Sequence, residues 1–177
     1  MFDLINQAGF FLLKSLAEFL SILLLMRFFM QFFRVSFSNQ IGTFVVQLTN
    51  WAVLPLRKVV PGVFGLDLSS LLPAYLLQVI VLFAAVALQA GPDLPFALIL
   101  IGGLRALLRT SIYLLIGLLI VQAVLSWVNP YSPIGRPINQ ITQVFLGPIR
   151  RVVPPIANID LSPLVAILLA QVVLIFI

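Results

Sequence analysis

The chain has 177 residues, of which 62% are hydrophobic and only 8% charged, with ten basic residues against five acidic ones. A mean hydropathy of +1.21 would expose more apolar surface than water tolerates, which excludes an ordinary soluble domain and a disordered chain alike. Cysteine and histidine are absent, which removes disulfides, thiolate nucleophiles and the usual zinc, haem and iron–sulfur ligand sets.

Taken in chain order, "MFDLINQAGF" lacks a basic leader and runs into an apolar segment from about Phe10 to Phe33, read as an uncleaved first membrane span. "IGTFVVQLTNWA" sets Ile41, Phe44, Val45 and Leu48 at helical spacing, as a short amphipathic helix on the membrane surface or packed on the bundle. A Pro-bracketed basic turn follows, Pro55, Arg57, Lys58 and Pro61, and then Asp67 and Ser69 at the start of a second span, Leu68 to Ala90. "LPFALILIGGL", Leu94 to Leu104, is too short to cross and reads as an interfacial or re-entrant piece, with a longer helix from near Pro95 as the alternative. A third span covers Ser111 to Val128. "PINQITQVFLG" then repeats the amphipathic pattern, with Ile138, Ile141, Val144 and Phe145 opposite Asn139, Gln140, Thr142 and Gln143. The second basic turn, Pro148, Arg150, Arg151 and Pro154, leads through Asp160, Ser162 and Pro163 into a fourth span, Leu161 to Ile177.

The parallel is an internal repeat. "PLRKVVPGVFGLDLSSL" from Pro55 and "PIRRVVPPIANIDLSPL" from Pro148 share nine of seventeen residues at a separation of 93, and Gln78-Val79 matches Gln171-Val172. The fold class expected is therefore an all-α membrane protein. About four transmembrane helices form two tandem helix-pair repeats of the same orientation, related by an axis along the membrane normal. The division is residues 1–90, a connecting segment 91–110, and 111–177. Proline at both ends of each basic turn predicts a chain reversal there, with the basic pair at headgroup level. Asp67 and Asp160 are placed to pair with Arg57 or Arg150, and Ser69 and Ser162 to cap the helices that follow.

"LSWVNPYSP" from Leu125 and "GPIRRVVPPIANIDLSPLVAILLAQ" from Gly147 resemble the YggT family of integral membrane proteins. The family-like positions are Ser126, Trp127, Pro130, Pro148, Arg150, Arg151, Pro154, Asp160, Ser162 and Pro163. The first repeat departs from the pattern with Phe33-Arg34 at the Ser-Trp position and Ser70 at the second proline. The resemblance implies a bacterial inner-membrane protein linked to osmotic or ion stress, cell division or membrane assembly, and it transfers no reaction.

Seven basic residues lie toward the face of the two long loops (Arg27, Arg34, Arg57, Lys58, Arg136, Arg150 and Arg151) and three toward the termini (Lys14, Arg105 and Arg109). The balance predicts cytoplasmic loops and periplasmic termini. Intramembrane polar residues are Lys14, Glu18, Arg27, Gln78 and Gln171. Lys14 and Arg27 are read as snorkelling to opposite surfaces with Glu18 bonded to Lys14, and the two glutamines as facing the bundle interior at equal depth. No carboxylate pair or phosphate loop suggests catalysis, so a non-enzyme without cofactor is expected. Its partners are anionic lipid headgroups and a second copy or another membrane protein, and nucleic acid is not among them. The leading reading is an accessory or scaffold protein, and the alternative is a small ion channel or transporter subunit.

Overall fold

The computed structural model describes residues 2–60, 66–88, 95–129, 131–153 and 160–177, with side chains from residue 7 onward. Pro61, Asp93, Pro130 and Pro154 lie outside the described residues. Among the described residues the elements are six helices: α1 (Phe2–Phe32), α2 (Gln40–Val59), α3 (Leu68–Ala87), α4 (Phe96–Val128), α5 (Gly135–Val152) and α6 (Ser162–Phe176). Adding 93 to the bounds of the first three gives 95–125, 133–152 and 161–180, so α4, α5 and α6 fall almost on the images of α1, α2 and α3. Helices α1 (from Gln7), α3 and α4 are long and apolar enough to cross a membrane. Helix α6 is equally apolar but has 15 residues, about 22 Å of rise against a hydrocarbon core of about 30 Å.

Two expectations change. The stretch Leu94–Leu104 forms, from Phe96 onward, the opening turns of α4, a single helix of 33 residues. The alternative of a longer helix is therefore the one that forms. It does so because Gly102 and Gly103 serve packing, not a break. A Cβ on Gly103 would sit 2.5 Å from Val79 Cγ2, and one on Gly102 the same distance from Leu82 Cδ2, so these glycines let α3 lie close against α4. The basic turns are likewise not turns where the first proline stands. Both α2 and α5 run through Pro55 and Pro148 and end at Val59 and Val152. Each proline is exposed, so the carbonyl it leaves undonated four residues earlier lies on the outer face of its helix, and the basic pairs fill the last helical turn.

Helix α1 ends differently from its image. Val35 N–H donates to the Met30 carbonyl at 2.7 Å and Arg34 N–H to that of Gln31 at 3.1 Å, with Arg34 at φ 55°. This is the Schellman pattern with an arginine in the left-handed position usually given to glycine. Asn39 then caps α2 by accepting from Gly42 N–H at 2.9 Å. Trp127, the image of Arg34, stays helical, so α4 continues to Val128.

The amphipathic helices pack on the bundle. Val45 joins Leu23, Met26 and Met30 of α1, and Val53 joins Leu24 and Leu25 of α1 with Ala74 and Leu107. Leu146 of α5 packs with Leu119 and Ala166. The outer face of α2 nevertheless carries Phe44, Leu48, Trp51 and Leu54, all exposed, which suits a helix bedded in the acyl boundary rather than one lying above it.

Candidate functional site

Two equivalent ion pairs stand at the starts of α3 and α6. In the first repeat Arg57, in the last turn of α2, meets Asp67 just ahead of α3 at 2.8 Å. The aspartate is 3% exposed and also accepts from Ser70 Oγ at 2.7 Å. The same guanidinium donates to Gln31 Oε1 of α1 at 2.8 Å, so one arginine ties three helices. In the second repeat Arg150 approaches Asp160 Oδ2 through NH2 at 2.8 Å and Nε at 2.9 Å. Asp160 Oδ1 accepts from Ser162 N–H at 2.9 Å. The pair is more open, its side chains 38% and 30% exposed. Both ion pairs form within a repeat, and each joins the amphipathic helix to the span that follows it.

The serines do not cap as the sequence suggests. Helix α3 begins at Leu68 and α6 at Ser162, so Ser69 and Ser162 are already inside their helices. Ser69 Oγ instead donates to the Val60 carbonyl at 3.1 Å, fastening the end of α2. In the second repeat Asp160 takes the first free N–H, the service expected of a cap. Pro163 replaces Ser70 and sits in the first turn, where its missing N–H costs nothing. Burial pushes the Asp160 carboxyl up, but the hydrogen bonds from Ser162 and the Arg150 guanidinium outweigh it and hold the group below the ordinary aspartate range. Lys58 and Arg151, next to the paired arginines, are exposed and enter no ion pair among the described residues.

Arg27 does not snorkel. It is 3% exposed and donates through NH1 to Thr49 Oγ1 at 2.7 Å and Asn50 Oδ1 at 3.0 Å. Two acceptors on α2 give the guanidinium local partners, so its charge stays inside the α1–α2 contact. No sequence periodicity points to Thr49 and Asn50, although their place on the inner half of an amphipathic helix is a usable signal.

A cleft of about 700 Å³ opens between α1, α3 and α4, on the halves of these helices remote from α2 and α5, lined among others by Lys14, Glu18, Gln78, Arg109, Thr110 and Tyr113. Lys14 Nζ and Glu18 Oε1 are 3.8 Å apart and half exposed. Gln78 is buried and donates to Thr110 Oγ1 at 3.3 Å. Gln171 lies on the exposed face of α6, so the two glutamines do not share an interior site. They occupy equivalent positions in the repeat, but their surroundings differ because α3 lies against α4 and, among the described residues, α6 has no comparable neighbour on that side. Among the described residues no group of His, Cys, Asp and Glu is arranged to hold a metal ion.

A family model described as CCB3/YggT matches residues 6–88 and 101–177. The uncharacterized protein YggT of Escherichia coli K12 is 39% identical over 167 residues, covering 92% of this chain and 85% of that protein. An uncharacterized protein of Vibrio alginolyticus is 33% identical over 88% of this chain and 85% of its own length. One from Haemophilus influenzae is 30% identical over 91% and 86%. No solved structure matches the chain.

Proposed function

Since the chain belongs to the CCB3/YggT family and is a helical membrane protein, we propose that it is a non-enzymatic accessory or scaffold of the bacterial inner membrane. It serves osmotic or ion stress, cell division or membrane assembly, as the family resemblance suggests. Four spans, with α6 as a short fourth, put both long loops and both amphipathic helices on the cytoplasmic face, where the excess of basic residues favours them. The observation that carries the reading is the duplicated arginine–aspartate clamp. It ties each amphipathic helix to the next span and engages the carboxylates of Asp67 and Asp160 in structure. The clamps leave Lys58 and Arg151 at the ends of α2 and α5 for anionic headgroups.

Each basic residue near such a surface contributes about 1 kcal/mol. The variant Lys58→Gln/Arg151→Gln, which leaves both clamps intact, should lose on the order of tenfold or more of its preference for phosphatidylglycerol over phosphatidylcholine nanodiscs. Unchanged preference together with lost function in cells would make these residues a docking site for another protein.

The cleft supports a second reading as an ion path, because Lys14, Glu18, Gln78 and Arg109 all line it. Purified protein in liposomes separates the two. The scaffold reading expects no flux above empty vesicles, and flux abolished by Glu18→Gln or Arg109→Gln would replace it.

A further inference from the structure

The repeat leaves two surfaces unmatched. Along the chain, α3 of the first repeat packs on α4, the opening helix of the second. The register is given by Leu82 against Gly102, Val79 against Gly103, Gln78 bonded to Thr110, and the Phe83 ring stacked on Phe96. By the separation of 93, α6 should meet the next opening helix in the same way. Among the described residues α6 has no comparable packing on α1 of its own chain. The images of the α3 contact residues are indeed bare: Val172, Ile175 and Phe176 are 49%, 80% and 85% exposed, and Gln171 is exposed beside them. On the receiving side the images are open toward the start of α1, although Ala17, the image of Thr110, is buried within its own chain. Gly9, the counterpart of Gly102, has nothing within 4 Å of where a Cβ would lie, and Lys14, the counterpart of Leu107, is half exposed.

Lipid alone covers such apolar residues without cost, but not Gln171. It stands nine residues into α6, about 14 Å from the helix start, and an amide left in hydrocarbon without a partner is expensive. The register carries its own answer. Gln78 finds Thr110 on α4, and the image of Thr110 is the buried Ala17, but Lys14 and Glu18 beside it on the helix are half exposed and within reach from outside. An amide delivered there meets an ammonium and a carboxylate.

We propose that copies of this chain associate head to tail in the membrane. Helix α6 of one copy packs antiparallel on the first half of α1 of the next, with Ile175 on Gly9 and Gln171 beside Lys14 and Glu18. The contact repeats the α3–α4 packing between chains, and it is heterologous, so it closes into a ring or extends as a row. One difference is built in: Phe10 stands where Gly103 stands, so the helices are held further apart at that level than α3 and α4 are. The second copy is favoured over an unrelated partner because the register is already realised once inside the chain. This inference does not depend on the lipid-binding role of the basic residues.

A chain without cysteine makes the test direct. Two single variants, Gly9→Cys and Ile175→Cys, carry different tags and are expressed together, and oxidative crosslinking is performed in native membranes. Residue 9 has room for the new side chain, and the double variant Phe83→Cys/Phe96→Cys, within one chain, serves as the positive control. The expected product is a dimer bearing both tags, at least tenfold above the yield from Gly9→Cys paired with Leu164→Cys at the other end of α6. Three results overturn the proposal. Dimers of one tag in excess would mean a two-fold interface, equal yields at Ile175 and Leu164 would mean random collision, and no product while the control closes would mean that lipid covers both faces.

Discussion

Replacing Asp67 and Asp160 by asparagine keeps shape and removes charge, and the two clamps should respond unequally. Asp67 is 3% exposed and receives Arg57 and Ser70. Losing a partner from a buried pair costs about 3–5 kcal/mol, but Arg57 is 41% exposed and rehydrates in part, which brings the expected loss to about 2–3 kcal/mol. Asp160 and Arg150 are both about a third exposed, so their pair is worth up to about 1 kcal/mol. An asparagine oxygen still accepts from Ser162 N–H. At about 2–4 °C per kcal/mol for a protein of this size, Asp67→Asn should lower the melting temperature in detergent by about 4–12 °C and Asp160→Asn by about 2–4 °C. The pH dependence has a definite sign. Because the folded Asp160 pKa is depressed, its contribution is complete above the unfolded value of about 3.9 and is lost as pH falls through the lower folded value. The gap between wild type and Asp160→Asn should therefore be constant from about pH 5 to 8 and shrink below about pH 4. Equal losses for the two variants, or a gap that persists at acid pH after Asp160 is protonated, would refute the reasoning that charge at this carboxylate is what counts.

Gly42→Ala should destabilise by at least about 1–3 kcal/mol, because its Cβ would fall 2.6 Å from the Phe37 backbone. Gly117→Ala, with nothing within 4 Å, should gain about 0.5–1 kcal/mol by the same melting assay. Arg34→Gly should stabilise by up to about 1 kcal/mol by relieving the left-handed backbone at the end of α1. A reporter fused after Ile177 should be active in the periplasm and one inserted near Ser132 in the cytoplasm, and the opposite pattern would reverse the orientation read from the basic residues.

Much of this was legible in the residues. The amphipathic patterns at Ile41 and Ile138, the apolar spans and the pairing of arginine with aspartate inside each duplicated phrase all follow from spacing and charge. What misled is also physical. Proline at Pro55 and Pro148 reads as a break by propensity. A helix whose outer face is exposed tolerates the missing bond, however, and the inner face, packed on α1 and α4, holds the helix together. The glycine pair at Gly102 suggested a short interfacial piece, since sequence alone does not reveal that α3 would occupy the space. Taken alone, the first span shows no acceptor for Arg27, which therefore reads as reaching for a headgroup. Its partners, Thr49 and Asn50, arrive only when α2 folds back.

The two halves differ in how their helices are fastened. At the α1–α2 junction the first repeat buries a cation. Position 120, the image of Arg27, is isoleucine; Thr142 keeps the bond from its hydroxyl to the carbonyl four residues earlier that Thr49 also makes, but it receives no guanidinium. The second repeat links the same pair of elements with neutral groups, Gln122 Nε2 to Asn139 Oδ1 at 3.3 Å. A buried guanidinium needs a close-fitting set of acceptors and excludes other packings, whereas a neutral amide pair is cheaper and less exacting. Helix α1 also bonds through Gln31 to the Arg57 clamp, so among the described residues repeat one is fastened at two points where repeat two is fastened at one. The clamp of the second repeat is correspondingly the more open. The duplicated plan has thus been kept where it sets the entry of each span and relaxed where α5 and α6 meet the surroundings. The first repeat is the half with more polar links between its helices among the described residues, and the second presents its amphipathic helix and its uncovered span.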